Sequence, residues 1–216
     1  MPRGPLRALV SVRGRFPVVP VVVVLAAIGA TLWEGAASLL LHQQGDLPEG
    51  RGWTLWTGHL VHFSTSHLLW DALAVLLLGA LLERSAGALR VACLVLGAAP
   101  VVSLGVMACE PRLDGYGGLS GMACVLAGAV VGEWIRQGGP RRRLGLLLGA
   151  GLAAKLAWEA LHPGAALLAA GWSGEVVPSV SAHALGALVG LAAAALPALT
   201  RPLGAGALVA GGAAGG

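Results

Sequence analysis

The sequence predicts an all-α, polytopic membrane protein built as a bundle of six transmembrane helices. Three observations predict it. First, 56% of the 216 residues are hydrophobic and only 11% are charged, with a mean hydropathy of +0.80. A soluble domain carries roughly 25% charged residues, so the chain has little soluble mass. Second, the apolar residues gather in six long runs separated by short polar stretches, as membrane spans require. Third, the basic residues crowd into alternate connections, which fixes an orientation. The same composition excludes other classes. The arginines flank apolar runs without interleaved aromatics, so no nucleic-acid partner is expected. Cys93, Cys109 and Cys124 form no spacing motif, so neither a disulfide framework nor a cysteine metal site is expected. They are expected to be ordinary buried thiols.

Residues 1–15 form a basic cytoplasmic N-terminus with Arg3, Arg7, Arg13 and Arg15. The apolar run 16–41 is too long for the hydrophobic part of a signal peptide, about 7–15 residues, and reads as the first helix. Glu34 lies within it and is expected to face the bundle as a helix–helix hydrogen-bond partner, because a carboxylate in lipid is costly. Residues 42–65 are a polar connection whose Trp53 and Trp56 suit the membrane interface. The second helix is expected over 66–82, ending at Glu83-Arg84. The third covers 89–109, with Pro100 as a source of a kink. The fourth starts at Ser120 and ends between Glu133 and Arg136. A basic loop, 137–143, precedes the fifth helix at 144–161. Residues 162–178 form a connection without a basic residue, and the sixth helix covers 179–196, stopped by Pro197. The membrane domain is thus 16–197, followed by a Gly/Ala-rich cytoplasmic tail, 198–216. Arg84, Arg90, Arg136, Arg141, Arg142, Arg143 and Arg201 share the side of the N-terminus, and only Arg51 and Arg112 lie opposite. Both termini are therefore expected in the cytoplasm.

The chemistry-bearing residues collect at the outer end. Ser120 stands in Gly117-Gly118-Leu119-Ser120-Gly121, where a polar loop gives way to an apolar run. Glycines leave the approach open, and a helix N-terminus offers free N–H groups and a positive dipole. These conditions suit a hydroxyl nucleophile beside an oxyanion site. A serine there is also an ordinary N-cap residue. His183 lies a turn into the sixth helix, and His67 and Asp71 lie at the outer end of the second. Gly186 and Gly190 share a face with His183, and Cys124, Ala127 and Gly128 share one with Ser120. Two such small-residue faces can pack closely and bring hydroxyl to imidazole.

These residues resemble the rhomboid intramembrane serine proteases over nearly the whole chain. Three blocks carry the resemblance: Thr57-Gly58-His59-Leu60-Val61-His62-Phe63-Ser64 with His67-Leu68-Leu69-Trp70-Asp71 and Leu78-Gly79-Ala80-Leu81-Leu82-Glu83; Gly118-Leu119-Ser120-Gly121; and Ala182-His183 with Gly186 and Gly190. The resemblance implies a six-helix rhomboid-like bundle and a Ser120–His183 dyad that cleaves a substrate's transmembrane helix or its edge. It implies that His67 and the Ser120 backbone N–H help bind the oxyanion, with Gly118 and Asp71 beside them. Where most rhomboid proteases have asparagine, this chain has Asp71. An ionised carboxylate only accepts hydrogen bonds, so Asp71 is protonated, or it orients His67, or the donors differ. The orienting role is preferred, since His67 is one turn away. The Trp-Arg pair familiar in the family's first loop is not evident. The small size and the His-Leu-Leu-Trp-Asp block look most similar to the rhombosortase branch, associated with C-terminal Gly-Gly sorting tails of exported bacterial proteins. That branch is thought to remove the tail's hydrophobic helix and pass the protein to a lipid-derived group.

The resemblance implies a multi-pass protein of the bacterial inner membrane, active on the periplasmic side, with no cofactor. Three further readings stand beside it. Lys155 and Glu159, four apart on the fifth helix, are expected to form a structural ion pair, while the resemblance places that helix and Trp158 at a substrate gate. His59, His62, His67 and Asp71 offer metal-ligand chemistry, but no His-Glu-x-x-His helix is present and a metal leaves Ser120 unused. A non-catalytic rhomboid-like protein that binds transmembrane clients is the alternative function. It usually goes with loss of the serine or the histidine, and both are present here.

Overall fold

In a computed structural model of the chain, residues 16–162 and 179–196 are described. The expectations for the basic N-terminus 1–15, the connection 163–178 and the tail 198–216 lie outside the described residues. The remaining apolar runs form helices: α1 (Val18–Leu32), α2 (Ala36–Leu40), α3 (Thr54–Thr57), α4 (Thr65–Ala86), α5 (Ala88–Cys109), α6 (Ser120–Gln137), α7 (Gly139–Leu161) and α8 (Val180–Ala195). A 3-10 turn, Gly58–Leu60, continues α3. Three of these helices, α4, α5 and α7, are long and apolar enough to cross a membrane, while α1 and α8 are shorter apolar helices.

Two expectations about the first run are corrected. The chain breaks after Leu32 and turns through Gly35, whose φ is +85°, a backbone conformation that favours glycine. Glu34 lies in that turn, exposed, and so faces no helix. The connection to α3 contains a short element that an all-helical reading lacks. Strand β1 (His42–Gln43) pairs antiparallel with β2 (Gly115–Tyr116), the loop just before α6. Asp46 secures the turn after β1 by accepting from the Gln43 N–H at 2.8 Å and pairing with Arg51 at 3.1 Å.

Helix α6 is the centre. Every residue from Gly121 to Val131 is buried, as expected of a helix apolar on all sides and enclosed by others. Its closest partner is α8. A Cβ on Gly186 would strike the Gly121 carbonyl, one on Gly128 the Ala187 carbonyl, and one on Gly190 the Val125 carbonyl. The small-residue faces therefore do meet backbone to backbone, as small residues permit. The thiols divide: Cys124 is buried here, but Cys93 and Cys109 on α5 are exposed. Lipid suits a weakly polar thiol as well as a core does, which is why the expected burial fails for these two.

Helix ends are tied by specific groups. Pro17 precedes α1, and the next two N–H groups, of Val18 and Val19, donate to the Glu83 carboxylate at 3.0 Å each. That carboxylate both satisfies free donors and faces the positive helix end. At the same side, Arg136 donates to the Ala194 carbonyl at 2.8 Å and Arg90 to the Ala193 carbonyl at 3.5 Å, closing the last turn of α8. The basic stretch expected as a loop is helical: α7 begins at Gly139, with Pro140 in the first turn, where its fixed φ is favourable. Pro100 lies inside α5 and leaves the Leu96 carbonyl without its helical donor. The Trp56 indole N–H takes that carbonyl at 2.8 Å.

Candidate active site

The start of α6 is set by its preceding loop. Gly118 adopts φ +107°, and a Cβ there would lie 2.7 Å from His67 Cε1 and 2.8 Å from Nε2. Both the backbone conformation and the histidine therefore require glycine at this position. Leu119 is the N-cap and offers no side-chain cap, so the N–H groups of Ser120, Gly121 and Met122 lack helical acceptors. Ser120 is partly exposed at this end, while its neighbours Leu119 and Gly121 are buried. No hydrogen bond joins Ser120 to His183 among the described residues. The two are brought to one end of the packed α6–α8 pair. A Cβ on Gly121 would come within 3.6 Å of Ala182 Cβ, the residues following Ser120 and preceding His183.

His183 is buried and occupies the first turn of α8, whose N-cap Ser179 accepts from the Ala182 N–H at 3.1 Å. Ser179 and Ser181 both donate to Glu110 Oε1, at 2.7 and 2.5 Å, anchoring this end of α8 to the end of α5. The ring nitrogen Nδ1 of His183 lies 2.8 Å from Glu159 Oε2. Lys155 Nζ donates to the other oxygen, Oε1, at 2.7 Å. The Lys155–Glu159 pair therefore exists, but it also reaches across to His183.

His67, Asp71 and His62 form a second buried group. Ser64 caps α4 by accepting from the His67 N–H at 3.2 Å. Asp71 Oδ2 is 3.2 Å from His67 Nε2 and 3.3 Å from His62 Nε2. His62 Nδ1–H donates to the Leu60 carbonyl at 3.1 Å, and its Nε2 accepts from the Leu119 N–H at 3.3 Å. Both approaches to Asp71 are ion-pair contacts, and of the two rings His62 already uses its Nε2 as an acceptor from Leu119. The sequence reading did not single out His62 for the site. Its signal was present only as one of four polar residues spaced over 59–71, and nothing local shows that it reaches the residue before Ser120.

The metal-ligand set does not hold as four residues. His62, His67 and Asp71 have ligand atoms within 4.8 Å of one another. His59 turns away. Its Nε2 contacts the Ala99 carbonyl and Ser103 Oγ, both at 3.1 Å, and Tyr116 OH lies 3.5 Å from its Nδ1. Ser103 spends its own proton on the Leu55 carbonyl at 2.9 Å, so it accepts from His59. Burial lowers the pKa of His59 to about 4 and raises that of the Tyr116 phenol. This pair, with rings at 5.2 Å and nearly perpendicular, joins the 3-10 turn to β2 beside the loop that leads into Ser120.

A family model described as the rhomboid domain matches residues 49–198, which runs from the connection before α3 to just beyond α8 and takes in Ser120, His183, His67 and Asp71. The chain belongs to the rhomboid family. Rhomboid proteins are generally intramembrane serine proteases, and membership places this protein in a lipid bilayer with membrane proteins as substrates. The match begins after α1, so the rhomboid resemblance rests on α3 to α8. No curated protein matches the chain.

Proposed function

We propose that this rhomboid protein is a serine endopeptidase in which Ser120 Oγ attacks the scissile carbonyl and His183 acts as general base and then general acid. Its substrates are transmembrane or C-terminal sorting-tail segments of exported proteins, and the His-Leu-Leu-Trp-Asp block favours a rhombosortase acting on Gly-Gly tails. The protein is read as a six-span protein of the bacterial inner membrane, with cytoplasmic termini and the active site opening to the periplasm. The observation that carries this reading is the α6–α8 contact, which holds the Ser120 end of one helix against the His183 end of the other.

In this reading the developing oxyanion is met by the Ser120 backbone N–H, and His67 lines the space that Gly118 leaves open beside it. Asp71, acting only as an acceptor when ionised, orients His67 through the 3.2 Å contact.

The test is cleavage of a tailed substrate by purified protein. Ser120→Ala and His183→Ala are each expected to abolish turnover while membrane insertion is kept. The double variant is expected to lose little more than either single one, since the two groups act as a unit. In the same assay Asp71→Asn is expected to lower kcat more than it raises KM. Client binding without turnover in both wild type and Ser120→Ala would favour the non-catalytic client-binding alternative. Chelator-sensitive cleavage by Ser120→Ala would point to a metal instead.

A further inference from the structure

Helix α7 is the least buried of the long helices. Of its residues only Gly145 and Glu159 are buried. Gly145 fits against Trp134 and Ile135 of α6, which is ordinary packing. Glu159 is different: it is a carboxylate only 4% exposed, on a helix whose exposed residues beyond Arg143 are apolar or glycine. A buried charge persists only where it is paired and hydrogen-bonded. An ion pair with Lys155, one turn back, uses one oxygen at 2.7 Å. The second oxygen reaches 2.8 Å from Nδ1 of His183, 24 residues away on α8.

The proton on that contact can be assigned. Lys155 Nζ also lies 3.1 Å from Nδ1. An ammonium and an imidazole N–H cannot both donate along that line, so Nδ1 either accepts from Lys155 or donates to Glu159. The carboxylate contact is shorter and charge-assisted, and an ionised carboxylate can only accept. Nδ1 therefore carries the hydrogen, and the lone pair of neutral His183 is on Nε2. That is the tautomer a general base needs when Nδ1 faces away from its nucleophile.

We propose that Glu159 is a positioning residue of the active site. Its Oε2 holds the Nδ1–H of His183 so that Nε2 is the atom that takes the proton from Ser120 Oγ, while Lys155 fixes the other carboxylate oxygen. This rests on the Ser120–His183 reading and completes it as a serine–histidine–glutamate triad. The proton balance is simple. One proton passes from Ser120 Oγ to Nε2 as the Oγ–carbon bond forms. The same proton passes from Nε2 to the leaving amine as the peptide bond breaks. None moves to Glu159, which stays ionised and stabilises the transient imidazolium.

Two measurements on the full-length protein in detergent test it. In the cleavage assay, Glu159→Gln keeps the shape of the side chain and removes its charge. It is expected to lower kcat on the order of 10²- to 10⁴-fold with KM within about twofold, the signature of a group acting in the transition state. Lys155→Met leaves the Glu159–His183 contact in place and is expected to cost less. The second measurement needs no variant: in protein labelled with 15N at histidine, His183 is expected to show the Nδ1–H tautomer. A near wild-type kcat for Glu159→Gln, with Ser120→Ala and His183→Ala inactive, overturns the proposal and leaves the dyad standing. Equal losses in Lys155→Met and Glu159→Gln that follow a lowered Tm also overturn it, because they identify an ion pair that only holds α7. An Nε2–H tautomer overturns it even if Glu159→Gln does not fold. Cleavage by Ser120→Ala instead removes the dyad reading itself.

Discussion

His59 shows how a single buried histidine sets a pH dependence apart from any catalysis. It lies 2% exposed in the 3-10 turn, between the Ala99 carbonyl, Ser103 and Tyr116. Burial disfavours the charged ring, and its pKa falls from 6.5 to about 4. An unfolded chain takes up a proton near pH 6.5 that the folded protein refuses. The stability that His59 contributes is therefore complete above pH 6.5 and is lost as pH falls toward 4. The size follows from the shift, about 3 kcal/mol across that window. Thermal unfolding in detergent at a series of pH values is expected to show this fall in wild type. His59→Asn, which cannot be charged, is expected to be less stable at neutral pH and to show a shallower fall between pH 6.5 and 4. Parallel profiles for the two proteins would place the acid sensitivity elsewhere.

Helix α8 is held by what its glycines lack. A Cβ on Gly190 would meet the Val125 carbonyl and come within 2.7 Å of the Ala129 nitrogen. Both are backbone atoms in the most buried helix of the fold, so no rotamer change relieves the contact. Gly190→Ala is expected to cost about 1–3 kcal/mol or more, as overpacking does. It is also expected to lower turnover, because the displaced helix carries His183. Gly151 on α7 gives the control, since a Cβ there meets nothing within 4 Å. Gly151→Ala is expected to be neutral or to stabilise by up to about 1 kcal/mol through helix propensity. Tm values for both variants decide the matter. Similar effects at the two positions would mean that α6 and α8 are not in backbone contact.

Across the whole molecule the polar groups separate into two ends. Ser120, His183, Glu159, His67 and Asp71 lie at the ends of their helices joined to the β1–β2 ladder and to Glu110. Glu83, Arg90, Glu133 and Arg136 lie at the opposite ends, where Arg90 and Arg136 each approach Glu133 at 3.7 Å. With the arginine bias of the connections, the proposed topology puts the second end in the cytoplasm. Reporter fusions after Gly50 and Asp114 are expected to read outside, and fusions after Gly87 and Gly138 to read cytoplasmic. A cytoplasmic signal at Asp114 would put Ser120 on the wrong side for exported substrates.

Much of this was legible in the sequence because it is local. Helix α4 over Thr65–Ala86, α5 over Ala88–Cys109 and α6 from Ser120 follow from apolar runs, caps and breakers, whose energies act within a turn or two. The glycine faces of α6 and α8 were legible for the same reason: spacing alone places small residues on one stripe. Glu34 was misread because no local signal outweighed the continuous apolar run, and the turn at Gly35 ended the helix early. What the tertiary structure decided are the contacts between distant segments: Glu159 with His183, His62 with the Leu119 N–H, and Trp56 with the carbonyl freed by Pro100. Each depends on the depth and rotation of two helices at once. Those are set by the summed packing of the bundle rather than by the residues that meet, so the sequence shows the groups while the fold chooses the partners.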